Sequence, residues 1–256
     1  MRHLEIHQFP CLNDNYGVLL HDPENNLTAT IDAPEASVII SALAAKNWTL
    51  THILNTHHHF DHTGGNEALK AQTNCTIVGP AGEADKIPGI DQPLKEGDNF
   101  QFGNATAAIL ETPGHTAGHI SYWFEQETVL FVGDTLFAMG CGRLFEGDAQ
   151  TMWSSLQKII ALPKETVIYC GHEYTMSNAE FALALEPGND VLQERVKHVK
   201  NLRAKEKPTL PTTLEQELAT NPFLRTGNHN IQKRLGMVGQ PEWEIFREIR
   251  HRKDNA

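Results

Sequence analysis

Along the first two thirds of the chain, short apolar runs with strand character alternate with stretches whose apolar residues recur at helical spacing. The runs predict strands over Asn15 to His21, Leu27 to Asp32, His52 to Thr56, Thr76 to Val78, Ala105 to Glu111, His119 to Phe124, Val129 to Val132 and Val167 to Cys170. Between them, Pro34 to Asn47, Gly65 to Gln72 and Thr151 to Ala161 predict helices; Trp153, Leu156 and Ile160 mark one buried face of the last. Alternation of this kind is the pattern of an α/β protein.

Beyond Tyr174 the pattern becomes helical only. Pro187-Gly188-Asn189-Asp190 stops one helix and starts another, on which Leu192, Val196, Val199 and Leu202 share a face. Thr212 and Glu215 have the spacing of a capping box for a short helix ending before Asn221-Pro222. A last helix, Pro241 to about Lys253, places Trp243, Phe246 and Ile249 together and ends in Arg250-His251-Arg252-Lys253. A catalytic domain over 1–172 and an α-helical appendage over 173–256 are therefore expected.

At 256 residues the chain is long enough for a substantial core. Its 21 Lys and Arg against 32 Asp and Glu give a net charge of −11, which argues against a general nucleic-acid or membrane-surface binder. An anionic small substrate needs a local basic patch on such a chain. Cys11, Cys75, Cys141 and Cys170 have no Cys-x-x-Cys spacing, so neither a disulfide framework nor a zinc ribbon is indicated. The N-terminus lacks the apolar core of a signal peptide, and no run approaches the ~20 apolar residues that span a bilayer. Cytoplasmic residence as a monomer is the expectation.

The chemistry concentrates in His57-His58-His59-Phe60-Asp61-His62, directly after an apolar run. Three further segments end an apolar run in a metal-ligand residue beside glycine, at Gly114-His115, Gly133-Asp134 and Gly171-His172. Fourteen histidines make any one of them weak evidence, and an isolated His115 or His172 would be read as a structural, hydrogen-bonded side chain. Together the four segments supply five histidines and two aspartates, more than one tetrahedral ion uses. The natural division gives His57, His59 and His115 to one ion and Asp61, His62 and His172 to a second, with Asp134 shared. Alternation of side chains in an extended segment turns His58 away, so it is left out. Two ions ~3.5–4 Å apart would hold a bridging hydroxide and polarise a carbonyl. Asp61 has a second possible role as proton acceptor.

With its H-x-H-x-D-H motif at residues 57–62, followed by His115, Asp134 and His172, the chain resembles the metallo-β-lactamase superfamily. Thr112 to His119, Gly133 to Phe137, Gly140 to Gly147, Cys170 to Thr175 and Asn221 to Arg225 resemble the glyoxalase II family within it. The resemblance implies an αββα sandwich followed by a helical glutathione-binding domain. It also implies hydrolysis of S-D-lactoylglutathione to D-lactate and glutathione, a step of methylglyoxal detoxification. Family glutathione contacts carry over to Arg143, Tyr174, Arg250 and Lys253; Phe145 lacks the hydroxyl that some relatives offer there. From the residues alone, Arg250 and Lys253 lie three apart on one helix face, spaced to clamp a carboxylate.

The implied mechanism is attack of the metal-bridging hydroxide on the thioester carbonyl, with departure of a thiolate whose acid has a pKa of ~8.5 and needs little protonation. Zinc is the foremost candidate metal, and iron and manganese accept the same ligands. The alternatives are a mononuclear-iron persulfide dioxygenase, a nuclease on the same scaffold and a non-enzymatic metal-binding protein.

Overall fold

The structure is a computed structural model and describes residues 4–256. The first three residues, part of the N-terminus read above and including His3, lie outside the described residues. Contacts divide the described residues into two compact units, one of residues 4–112 and 116–133, the other of residues 113–115 and 134–256.

The first unit runs β1 (Glu5–Cys11), β2 (Asn15–Asp22), β3 (Leu27–Ile31), α1 (Ala36–Lys46), β4 (His52–Leu54), α2 (Phe60–Thr63) and α3 (Asn66–Thr73). It continues through β5 (Thr76–Pro80), β6 (Gln92–Leu94), β7 (Asn99–Phe102), β8 (Ala105–Glu111), β9 (Ile120–Phe124) and β10 (Val129–Phe131). β1 to β6 form a sheet in chain order, antiparallel from β1 to β3 and parallel from β3 to β6. β7 to β10 pair antiparallel in sequence. The parallel steps require crossovers, and α1 and α3 supply two of them. Their Ile39, Leu43 and Leu69 pack with Leu19, Ile53 and Ile77 of the sheet in one buried cluster. Both helices stop at an asparagine in the left-handed region, Asn47 and Asn74, each at φ 57°. The fully buried Tyr122 of β9 donates its hydroxyl to the Asn55 carbonyl at 2.8 Å, tying the antiparallel strands to the end of β4.

The second unit holds the hairpin β11 (Leu136–Phe137) and β12 (Gly140–Cys141), α4 (Ala149–Ile160), β13 (Val167–Tyr169), α5 (Thr175–Leu185) and α6 (Asp190–Arg203). β14 (Thr212–Thr213), α7 (Leu214–Thr220), α8 (His229–Leu235) and α9 (Glu242–Asp254) complete it. The stop-and-start at 187–190 is realised: Asn189 caps α6 by accepting from Leu192 N at 3.1 Å, and Leu192, Val196 and Val199 are buried.

Two expectations for this region need correction. It is not helical only, because β14 pairs antiparallel with β13, Thr212 opposite Ile168. The cap of α7 is also shifted by one residue: Thr213, not Thr212, accepts from Gln216 N. Thr212 is committed elsewhere, donating to the fully buried Glu217 carboxylate at 2.7 Å. That carboxylate also takes Met139 N, Arg195 and the Asn221 amide, so a buried charge is fully paired. Asn221 in turn donates to the carbonyls of Phe137 and Gly140, clasping the β11–β12 hairpin.

All four cysteines are buried free thiols, in agreement with the absence of a disulfide framework. Among the described residues no helix is long and apolar enough to cross a membrane.

Candidate metal centre

In the first unit, β4 ends at Leu54 and the chain turns through Asn55 to His59 into the single turn of α2. Backbone and side-chain bonds fix this turn before any ligand is considered. Asn55 N donates to the Val78 carbonyl at 2.8 Å, and its side chain donates to the His62 carbonyl at 3.0 Å. Asp32, just past β3, accepts from Thr56 N at 2.7 Å.

Four of the expected ligands gather here. His57 Nε2 lies 3.1 Å from His59 Nδ1, and His62 Nε2 lies 3.5 Å from Asp61 Oδ2. His57 and His62 are buried, whereas His59 and Asp61 are half-buried. Asn15 donates to both the carbonyl and Oδ2 of Asp61, at 3.1 and 3.2 Å, holding that carboxylate in one orientation. His58 is turned to Glu83, which accepts from its backbone N and faces its Nδ1, both at 2.8 Å. Glu83 is fully buried and its other oxygen accepts from Gly118 N, so His58 serves to tie down the loop.

The remaining three ligands gather in the second unit. His115 is held by a loop in which Ser155 donates to the Pro113 carbonyl at 2.6 Å and Gly147 N to the Gly114 carbonyl at 3.1 Å. His115 Nδ1 donates to the Arg143 carbonyl at 2.9 Å. Its Nε2 therefore carries the lone pair, and that lone pair faces Asp134 Oδ2 at 3.5 Å. His172 Nε2 approaches the same oxygen at 3.3 Å. The His115 lone pair and the carboxylate oxygen are electron-pair donors with the His172 nitrogen beside them, and such a group of side chains suits a cation. The residues thus fit a metal in both units by the chemistry of their donors.

Arg143, Tyr174, Arg250 and Lys253 all lie in the second unit. Arg143 has a side chain 68% exposed, with its guanidinium 5.0 Å from the ring centroid of Phe145. Phe145 is itself exposed and meets His115 edge-on at 5.2 Å. Tyr174, one residue before α5, stacks on His172 with centroids 4.7 Å apart. Lys253 donates to the Ser177 hydroxyl at 2.7 Å and carbonyl at 3.0 Å; burial, then the neighbouring Arg250 cation, lowers its pKa.

Arg250, expected with Lys253 as a carboxylate clamp, is held by partners within the chain. It is only 6% exposed, donates to the Cys141 carbonyl at 2.8 Å and pairs with Asp254 at 2.8 Å, its guanidinium over the Phe223 ring. The buried face of α9 carries Ile245, Phe246, Ile249 and Arg250, so Arg250 continues the apolar face instead of starting a basic one. Its cation secures β12, while Asp254 also lies 4.0 Å from Arg143.

Sequence reasoning missed Asp32, Asn15 and Asp254. Asp32 had a signal: it ends an apolar strand run in an acid, the same grammar that marked Asp134.

The family model described as hydroxyacylglutathione hydrolase C-terminus matches residues 173–256, and that of the metallo-β-lactamase superfamily matches residues 26–172. The hydroxyacylglutathione hydrolase of Methylococcus capsulatus is 55% identical over 251 residues, covering 98% of both chains. That of Brucella ovis is 56% identical over 251 residues, also covering 98% of both. Among solved structures, ETHE1 from Myxococcus xanthus matches with a TM-score of 0.69 at 25% identity, covering 96% of this chain and 90% of the other. TTHA1623, solved in a di-iron-bound form, matches in fold with a TM-score of 0.62 at 24% identity, covering 86% and 100%. With near-complete coverage at more than half identity, and both parts of the chain matched, the protein belongs to the hydroxyacylglutathione hydrolase family, glyoxalase II, within the metallo-β-lactamase superfamily.

Proposed function

We propose that the protein hydrolyses S-D-lactoylglutathione and related 2-hydroxyacylglutathione thioesters to the 2-hydroxy acid and glutathione, the second step of methylglyoxal detoxification. The observation that carries this reading is the convergence of donor nitrogens on carboxylate oxygens, exemplified by His115 and His172 at Asp134, in a chain that matches hydroxyacylglutathione hydrolases end to end.

In this reading His57, His59 and His115 would hold one divalent ion and Asp61, His62 and His172 a second, with Asp134 available to both. Such ions, zinc foremost and iron or manganese by the same ligand chemistry, would supply a water of lowered pKa and polarise the thioester carbonyl. Asp61 acts as a ligand, and Asn15 keeps its carboxylate in the required orientation. Arg143, Tyr174 and Lys253 contact the glutathione moiety, with Arg143 and Lys253 meeting its carboxylates. Arg250 contributes to the same substrate site by fixing Asp254 and β12, next to Arg143 in sequence. The leaving thiolate comes from an acid of pKa ~8.5, so the chain needs no dedicated proton donor.

Residues 1–172 form the catalytic domain and residues 173–256 the glutathione-binding domain of this scheme. The protein is placed in the cytoplasm as a monomer acting on a small molecule, without nucleic-acid or membrane partners. The deciding experiment is thiol release from S-D-lactoylglutathione by zinc-, iron- and manganese-loaded protein, with metal content measured on the same samples. Turnover with two ions per chain is expected. Absence of turnover in every fully loaded form would overturn the reading, and oxygen consumption with glutathione persulfide at one iron would replace it with a dioxygenase.

A further inference from the structure

We propose that Asp32 is a positioning residue that sets the tautomer of one histidine in each metal set, His62 directly and His57 through the hydroxyl of Thr56. The proposal rests on the reading that both histidines are ligands.

A proton count along the bonds carries it. Asp32 is 4% exposed and sits immediately after β3 in the left-handed region, at φ 57°. Its backbone N donates to the Leu54 carbonyl at 3.0 Å, and the next residue, Ala33, donates to the His62 carbonyl at 2.8 Å. The carboxylate is thereby pinned between the end of β4 and α2. Its Oδ1 accepts from Thr56 N, and its Oδ2 faces both the Thr56 hydroxyl at 2.9 Å and His62 Nδ1 at 2.8 Å.

A carboxylate only accepts, so the proton of His62 sits on Nδ1 and the lone pair on Nε2. The Thr56 hydroxyl has a single proton, and Asp32 takes it. Toward His57 Nδ1, 3.0 Å away, that hydroxyl is consequently an acceptor. His57 is therefore also protonated on Nδ1, with its lone pair on Nε2, the nitrogen turned toward His59. One carboxylate thus prepares a ligand for each ion.

Asp32, His57 and His62 place their polar atoms within 4.8 Å of one another, which by itself would suit a third metal position. The bond pattern excludes that role. Both carboxylate oxygens already accept protons, and the imidazole nitrogen that meets them is the protonated one. Asp32 acts behind the ligands, in the manner of carboxylate–histidine–metal arrangements. The link through a threonine to a second ligand makes its reach longer than one imidazole.

Two substitutions separate the branches. Thr56→Val removes the hydroxyl that links Asp32 to His57 and keeps the direct Asp32–His62 bond, whereas Asp32→Asn affects both histidines. Long-range proton–nitrogen NMR on the full chain, zinc-loaded and after chelator stripping, reads the ring tautomers directly. Nδ1–H at both His57 and His62 is expected in the wild type. Thr56→Val is expected to lose that pattern at His57 alone and to weaken one of two zinc-binding steps about 10–100-fold; Asp32→Asn is expected to weaken both. Thr56→Ser keeps the hydroxyl and should behave as wild type. If Asp32→Asn does not fold, the Thr56→Val and Thr56→Ser pair decides alone. Nε2–H at either histidine in the stripped wild type, or Thr56→Val leaving His57 and both zinc steps unchanged, would overturn the proposal. Failure of the wild type to bind two zinc ions would instead overturn the ligand assignment.

Discussion

The guanidinium of Arg250 and the carboxylate of Asp254 meet one helical turn apart at 2.8 Å, with Arg250 almost wholly buried. A basic residue near the C-terminus of a helix would ordinarily be a solvated charge, and here it is part of the packing. Arg250→Ala is expected to cost about 2–3 kcal/mol of folding stability, below the ~3–5 kcal/mol of a fully buried pair because Asp254 is partly exposed. Urea denaturation measures this directly. Loss of substrate affinity without loss of stability would show that Arg250 acts as an open clamp after all.

Lys253→Ala should divide the other way. Its ammonium is anchored by Ser177, and removal changes stability by no more than about 0.5 kcal/mol. The Michaelis constant for the glutathione thioester should rise several-fold with little change in kcat, and more again when combined with Arg143→Ala. Unchanged kinetics in the double variant would remove both residues from substrate binding.

Asp134 receives two imidazole nitrogens on one oxygen, so Asp134→Ala removes the common element of the ligand set. Metal analysis should find fewer than two ions per chain. Turnover should fall by more than the ~10–100-fold typical of a residue behind the ligands. Normal turnover with two tightly held ions would refute the shared role.

Chelation should abolish activity and lower the melting temperature, and readdition of zinc should restore both. Because the ion binds the folded chain, the shift should grow with free zinc as RT ln(1 + [zinc]/Kd), about 2.7 kcal/mol at 100 times Kd. A melting temperature indifferent to zinc would place the ions outside the folded ligand set.

Acid sensitivity should have a specific contributor in Asp22. Burial pushes its carboxyl up, but hydrogen bonds from Asn104 N, the Asn25 side chain and backbone, and Glu24 N outweigh it, and the net pKa is lowered. A lowered folded-state pKa stabilises above the unfolded value of ~3.9, and the contribution is lost as pH falls through the folded value. Asp22→Asn should therefore cost about 1–2 kcal/mol at pH 7, and the gap from wild type should narrow below pH ~4. A gap independent of pH would assign the cost to packing instead.

The strands and turns that carry the expected ligands were legible because their signal is local. An apolar run followed by glycine and a ligand residue reads the same in the sequence as in β8, β10 and β13. β1 was missed for a physical reason: Glu5–Cys11 is mostly polar or half-exposed and contains Pro10, so only its pairing with β2 makes it a strand. β6 and β7 are only three and four residues long, leaving too little period to detect. The cap at Thr213 was displaced because Thr212 answers to Glu217, a partner that folding supplies. The burial of Arg250 was not legible, because its charge hides its place beside Phe246 and Ile249 on the buried face.

The four interior cysteines have a consequence for a protein whose proposed product is itself a thiol. Mixed disulfides form by attack of a thiolate, and an exposed, acidic cysteine would be captured by oxidised glutathione. Burial pushes the Cys141 thiol up to about 11 and raises Cys11, Cys75 and Cys170 as well. The four buried thiols therefore present no accessible thiolate to S-glutathionylation, and turnover is expected to be indifferent to oxidised glutathione.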